Sequence, residues 1–89
     1  MNDDELAKEA RAQWAVGQYY SLPVATKKAL MTVVKATTQK ERQVAFDEFV
    51  RNRPTMSQWE CGGISTILDG IFRHAKPAQL EAIKCQLFI

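Results

Sequence analysis

His74 is the only histidine in this 89-residue chain, so any acid–base or nucleophilic scheme that needs an imidazole must run through it. It stands beside Arg73 and ahead of Lys76. A cationic or hydrogen-bonding side chain there suits the end of a helix, next to the last free carbonyls. That helix-end role is the expectation for His74. Cys61 and Cys85 could be joined to it as metal ligands, but there is no C-x-x-C and the spacings match no zinc module. A fourth ligand would have to be recruited from a carboxylate. No metal and no cofactor are expected, and both cysteines read as small buried hydrophobes.

The carboxylates offer no more. Asp47 and Glu48 are adjacent, and adjacent residues on a helix point ~100° apart, so they do not form an acid–base pair. Gly62-Gly63 lacks the spacing and the Lys-Ser/Thr of a phosphate-binding loop. No catalytic residue is assigned, and a chain this short has little core in which to enclose a water-excluding pocket. The expectation is a protein that is not an enzyme.

Composition bounds the rest. Hydrophobic residues make up 46% and charged residues 25%, a globular balance that argues against disorder. Twelve basic and ten acidic side chains leave a net charge of +2, too mild by itself to diagnose a partner of nucleic acids. No apolar run approaches the ~20 residues of a membrane span, so no membrane association is expected. The start, Met1-Asn2-Asp3-Asp4-Glu5, is acidic where a signal peptide would be basic. With two cysteines and no other staple, a reduced, cytoplasmic protein is expected.

Prolines divide the chain. Pro23, Pro54 and Pro77 each suit a helix start and not a helix interior, so each marks one helix ending and another beginning nearby. A fourth break falls at Thr37-Thr38, where Thr38 and Glu41 form a capping box; Thr55 and Gln58 repeat the device in its glutamine form. Five helices are predicted, at 3–20, 24–36, 39–52, 56–75 and 77–88. No segment alternates like a strand, so the fold class is all-α: one domain over residues 1–89, a bundle of about five short helices.

Wrapped at ~100° per residue, each segment shows a candidate buried face. The first collects Leu6, Ala10, Gln13, Trp14, Gly17 and Tyr20, leaving Tyr19 with Ala12 and Val16 on the far side. The second collects Thr26, Leu30, Val33, Val34 and Thr37, and turns Lys28 and Lys35 outward. The third sets Ala45, Phe46 and Phe49 on one face with the stem of Arg42. The fourth has the cleanest stripe: Ile64, Ile67, Leu68, Ile71 and Phe72.

Some apolar surface is left over. In the last segment Leu80, Ile83 and Leu87 oppose Ala78, Ala82, Cys85 and Ile89, and a helix with two apolar faces asks for cover on both. The cover is either a second chain, or the rest of a monomer through whose centre this helix runs. Behind the stripe of the fourth segment, Trp59, Gly63, Thr66 and Gly70 form a row of small residues headed by an aromatic. A mid-helix glycine costs up to ~1 kcal/mol against alanine, so the row asks for a compensating contact. Another helix of the same domain or an outside partner would supply one; a break of the helix at Gly62-Gly63 is the third option. Tyr19, with few rotors and a large area, is a candidate interface residue.

Two functions follow from these residues. The first is a small helical protein-interaction module, a regulator, adaptor or inhibitor of the kind phages and mobile elements use against host machinery. It would bind a protein partner, itself as a homodimer, or both, through Tyr19, Trp59, Gly63, Gly70, Cys85 and Ile89. The alternative is a dimeric nucleic-acid-binding regulator. Residues 24–89 carry ten basic and six acidic side chains, and Lys28, Lys35, Arg51 and Arg53 would supply the phosphate contacts. A helix-turn-helix is poorly matched: neither corner holds a glycine, and the third segment would present Asp47 and Glu48 to phosphates.

Overall fold

The computed structural model describes residues 3–86; Leu87 and Ile89, invoked above for the last helix, lie outside them. Five helices follow in order: α1 (Asp3–Ser21), α2 (Val24–Lys35), α3 (Gln39–Arg51), α4 (Gln58–His74) and α5 (Pro77–Lys84). The fold is an all-α bundle, as the punctuation predicts. Their starts have local causes. Asp3, Asp4 and Glu5 face the positive end of α1, and Pro77 opens α5 at a position that needs no amide. Thr38 caps α3, its Oγ1 accepting from the Glu41 N–H at 3.1 Å. The Glu41 carboxylate reaches one residue further back than a standard capping box, accepting from the Thr37 N–H (3.1 Å) and O–H (3.0 Å). Those two donors hold its carboxyl below the ordinary range.

At α4 the expected cap moves. Ser57, not Thr55, takes the position, accepting from the Glu60 N–H at 3.1 Å, and the helix begins two residues later than predicted. It then runs unbroken through Gly62-Gly63. Each glycine loses some helix propensity, but residues 64–72 bury four large aliphatic side chains, and that burial outweighs it.

Packing is divided between two pairs. α1 lies along α4, and α2 packs against α3, with α5 set against α2. Glu9 pairs with Lys76 and Ala15 abuts Gly70, so α1 and α4 run in opposite directions. The core is Ala15, Tyr19, Leu30, Val33, Val34, Phe49, Ile64, Ile67, Leu68, Ile71 and Ile83. The faces predicted for helices two and four hold, except that Thr37 is exposed and Thr26 and Phe72 are half-buried.

α1 is rotated relative to the sequence prediction. Ala12, Ala15 and Tyr19 are buried, whereas Leu6, Ala10, Trp14, Gly17 and Tyr20 face solvent. Hydropathy favours the face with Trp14 and Leu6; close approach to α4 selects the face whose small residues let the two backbones draw together. Lys27 is also drawn in, 8% exposed, because its ammonium donates to the Tyr20 carbonyl (3.1 Å) at the open end of α1. The described residues span 44 × 28 × 25 Å. An elongated body of this size leaves long flanks in water.

Candidate functional site

The first turns of α4 make the most exposed aromatic site. Trp59 is 90% exposed, and with Gln58, Gly62, Gly63 and Thr66 it lines a shallow depression. Nothing lies within 4 Å of where a side chain on Gly62 or Gly63 would begin. The Thr66 hydroxyl folds back and donates to the Gly62 carbonyl at 2.9 Å. Gly70, at the far end of the predicted row, belongs elsewhere. A Cβ there would sit 2.9 Å from the Ala15 Cβ, so an intramolecular helix covers it. The row is therefore split, half packing surface and half open shelf, and Gly70 is withdrawn from the partner-binding set.

Tyr19 is also withdrawn. It is 0% exposed, its ring meets Tyr20 edge-on and its hydroxyl donates to the Met31 sulfur at 3.9 Å. Burial, reinforced by Tyr20, pushes its phenol above the usual tyrosine pKa. The far face of the first helix was the inner one.

Around α5 one of the two predicted faces is covered. Ile83 is fully buried and Leu80 packs against the core, while Ala78, Ala82 and Cys85 are exposed. This helix does not run through the centre of the monomer. Cys85 is a free surface thiol, contrary to the expectation of a buried hydrophobe, and Cys61 is half-buried and free. Ile89 lies outside the described residues.

The basic residues differ in their surroundings. Lys28 and Lys35 stand two turns apart on the exposed side of α2, and Arg51 is exposed at the end of α3. Arg53 is engaged differently, its guanidinium lying 4.5 Å from the centre of the Phe49 ring.

His74 ends α4, where it was expected, and lines a depression with Glu5, Lys8, Glu9, Ala12, Gln13, Lys76 and Gln79. Its Nδ1 is buried without a hydrogen-bond partner, and no serine, threonine or cysteine shares that lining for it to activate. Among the described residues no group of three His, Cys, Asp or Glu side chains is arranged to hold a metal.

Two further features were not singled out in the sequence. A groove of about 500 Å³ opens between α3 and α4 over Val33, Phe46, Leu68 and Phe72. Across it the Arg42 guanidinium lies 4.2 Å from the Phe72 ring centre, and Arg73 pairs with Asp69 at 2.9 Å on its rim. The other is the outward face of α1, on which Leu6 and Trp14 are 47% and 51% exposed. A sequence signal for it exists: between Arg11 and Lys27 there is no charged residue. Against known proteins, the chain matches no family model, and no curated protein or solved structure proves similar to it.

Proposed function

We propose that this protein is a non-enzymatic helical binding module that acts by occupying a partner protein's surface, as regulators, adaptors and inhibitors do. The observation that carries this is Trp59, 90% exposed above a glycine shelf. An indole on a rigid helix, with open space beside it, offers a large contact area at little entropic cost, which is the character of an interface anchor. Gly63 belongs to the same shelf, and the exposed Cys85 surface is a second contact candidate. Two free cysteines suit a reducing compartment such as the cytoplasm. The test is affinity capture from the native host with the wild-type chain and with Trp59→Ala in parallel. Partners enriched by the first and lost with the second support the reading; identical sets with both variants remove Trp59 from it.

Nucleic-acid binding remains the second reading, favoured by one observation: no carboxylate pairs with Lys28, Lys35 or Arg51 among the described residues. With Arg53 held over Phe49, three exposed cations carry that reading.

A further inference from the structure

Arg42 carries a charge that no acceptor in the fold answers. It is half-buried where it lines the groove between α3 and α4, and its guanidinium carbon lies 4.2 Å from the centre of the Phe72 ring. Its Nε is buried without a hydrogen-bond partner, and among the described residues no carboxylate pairs with the guanidinium. The acids of the same lining each have a donor: Asp69 takes Arg73 at 2.9 Å, and Asp47 accepts from the Gln43 amide at 2.9 Å. A cation partly withdrawn from water and given no acceptor costs free energy that an incoming anion would recover. Contact with the Phe72 ring also restrains the guanidinium, so its Nη groups meet that anion with little further ordering.

We propose that this groove is a binding site for a small apolar monocarboxylate, an aryl- or alkyl-carboxylic acid held by its carboxylate on Arg42 and by its body over Phe46, Leu68 and Phe72. Three features select that occupant. The unanswered charge is positive, so the ligand brings a negative one, and a carboxylate matches the planar fork of a guanidinium. Asp47 and Asp69 belong to the same lining and oppose any second negative charge. A single carboxylate is therefore favoured over phosphate, a nucleic-acid strand or an acidic peptide. The rest of the lining is largely apolar, and its volume of about 500 Å³ lies within the range of small-molecule sites. Because the groove opens to solvent, a ligand of this size is expected to dissociate with a Kd on the order of 1 mM.

The groove shares no residue with the Trp59 shelf, so the two readings fail separately. The experiment is an NMR titration of the isotope-labelled chain with 3-phenylpropionate, its neutral amide, inorganic phosphate and a tetraglutamate peptide. 3-Phenylpropionate should give saturable shifts in the Arg42 Nε–Hε signal and in the amides of Phe46, Leu68 and Phe72. The other three probes should bind at least about fivefold more weakly. Ser65 is an exposed member of the lining, so Ser65→Glu adds a negative charge there without disturbing the core. It should keep the wild-type helicity and weaken 3-phenylpropionate by at least about fivefold. Arg42→Gln should weaken it likewise, and Lys28→Ala should bind as the wild type does. No saturable shift at about ten times the expected Kd overturns the proposal. Equal binding of the neutral amide, or binding that tolerates Ser65→Glu, overturns it too, because Arg42 would then play no part. Tighter binding of phosphate or of the peptide assigns the groove to another occupant and removes this one.

Discussion

Gly70 of α4 and Ala15 of α1 meet so closely that one more carbon has no place: a Cβ at Gly70 would lie 2.9 Å from the Ala15 Cβ. Alanine's Cβ is fixed to its backbone, so relief requires the two helices to separate. Gly70→Ala gains up to ~1 kcal/mol of helix propensity and loses ~1–3 kcal/mol to overpacking, a net destabilisation of about 1 kcal/mol. Gly63→Ala meets nothing within 4 Å and should stabilise by ~0.5–1 kcal/mol. Urea unfolding of the two variants should give shifts of opposite sign; equal shifts would mean that the α1–α4 contact is misdescribed.

The position of the α4 cap makes a second contrast. Ser57→Ala removes the acceptor for the Glu60 amide and should cost ~1 kcal/mol. Thr55→Ala, in the connection before the helix, should stay within ~0.5 kcal/mol. Thermal melts separate the two, since ~1 kcal/mol in a domain of this size moves Tm by ~4–8 °C.

Tyr19 predicts a dependence on alkaline pH. Its folded-state pKa is raised, so the unfolded chain gives up this proton first. The associated stability is complete below pH ~10 and is lost as pH climbs through the higher folded value. Tyr19→Phe keeps the buried ring and loses only a 3.9 Å contact to sulfur, so it should change stability at neutral pH by less than ~1 kcal/mol. It should also flatten the alkaline decline. Tyr19→Ala empties the site and should cost ~3–5 kcal/mol, enough to unfold much of a marginal domain. Circular dichroism melts across pH report all three.

Glu41 predicts the opposite dependence at the acid end. Its carboxyl is held low by Thr37, so the stability it contributes is present above the unfolded-state pKa and fades as pH falls through the folded one. Removing the hydroxyl with Thr37→Val should move the Glu41 carboxyl upward in an NMR titration. An unmoved carboxyl would show that the hydroxyl contributes nothing.

Phosphate contacts by Lys28, Lys35 and Arg51 predict steep salt dependence. A random duplex retarded at low salt and released at higher salt, with Lys28→Ala and Lys35→Ala each reducing the slope by about one unit, supports that reading. No retardation at low salt removes it.

Much of the fold was legible because its signals are local. Pro23 and Pro77 bound helices by steric exclusion, Thr38 caps by a bond within its own turn, and Ile64, Ile67, Leu68 and Ile71 repeat at the helical period. The cap of α4 was misplaced because Thr55 and Ser57 both precede a suitable run, and the choice depends on how the chain leaves α3. The candidate site was less legible. Trp59 reads as exposed or as core with equal ease from hydropathy, and Gly63 and Gly70 look alike on a wheel although one is open and the other is pressed against Ala15.

The chain by itself determined that there would be five helices, where most of them begin and which stripe of α4 is buried, because these depend on residues a turn or two apart. Only the tertiary structure decided which side of α1 turns inward. That choice rests on how closely another backbone approaches. Ala12 and Ala15 let α4 come near while Tyr19 fills the space beyond them, and Leu6 and Trp14 are left in the water although they are the more hydrophobic residues.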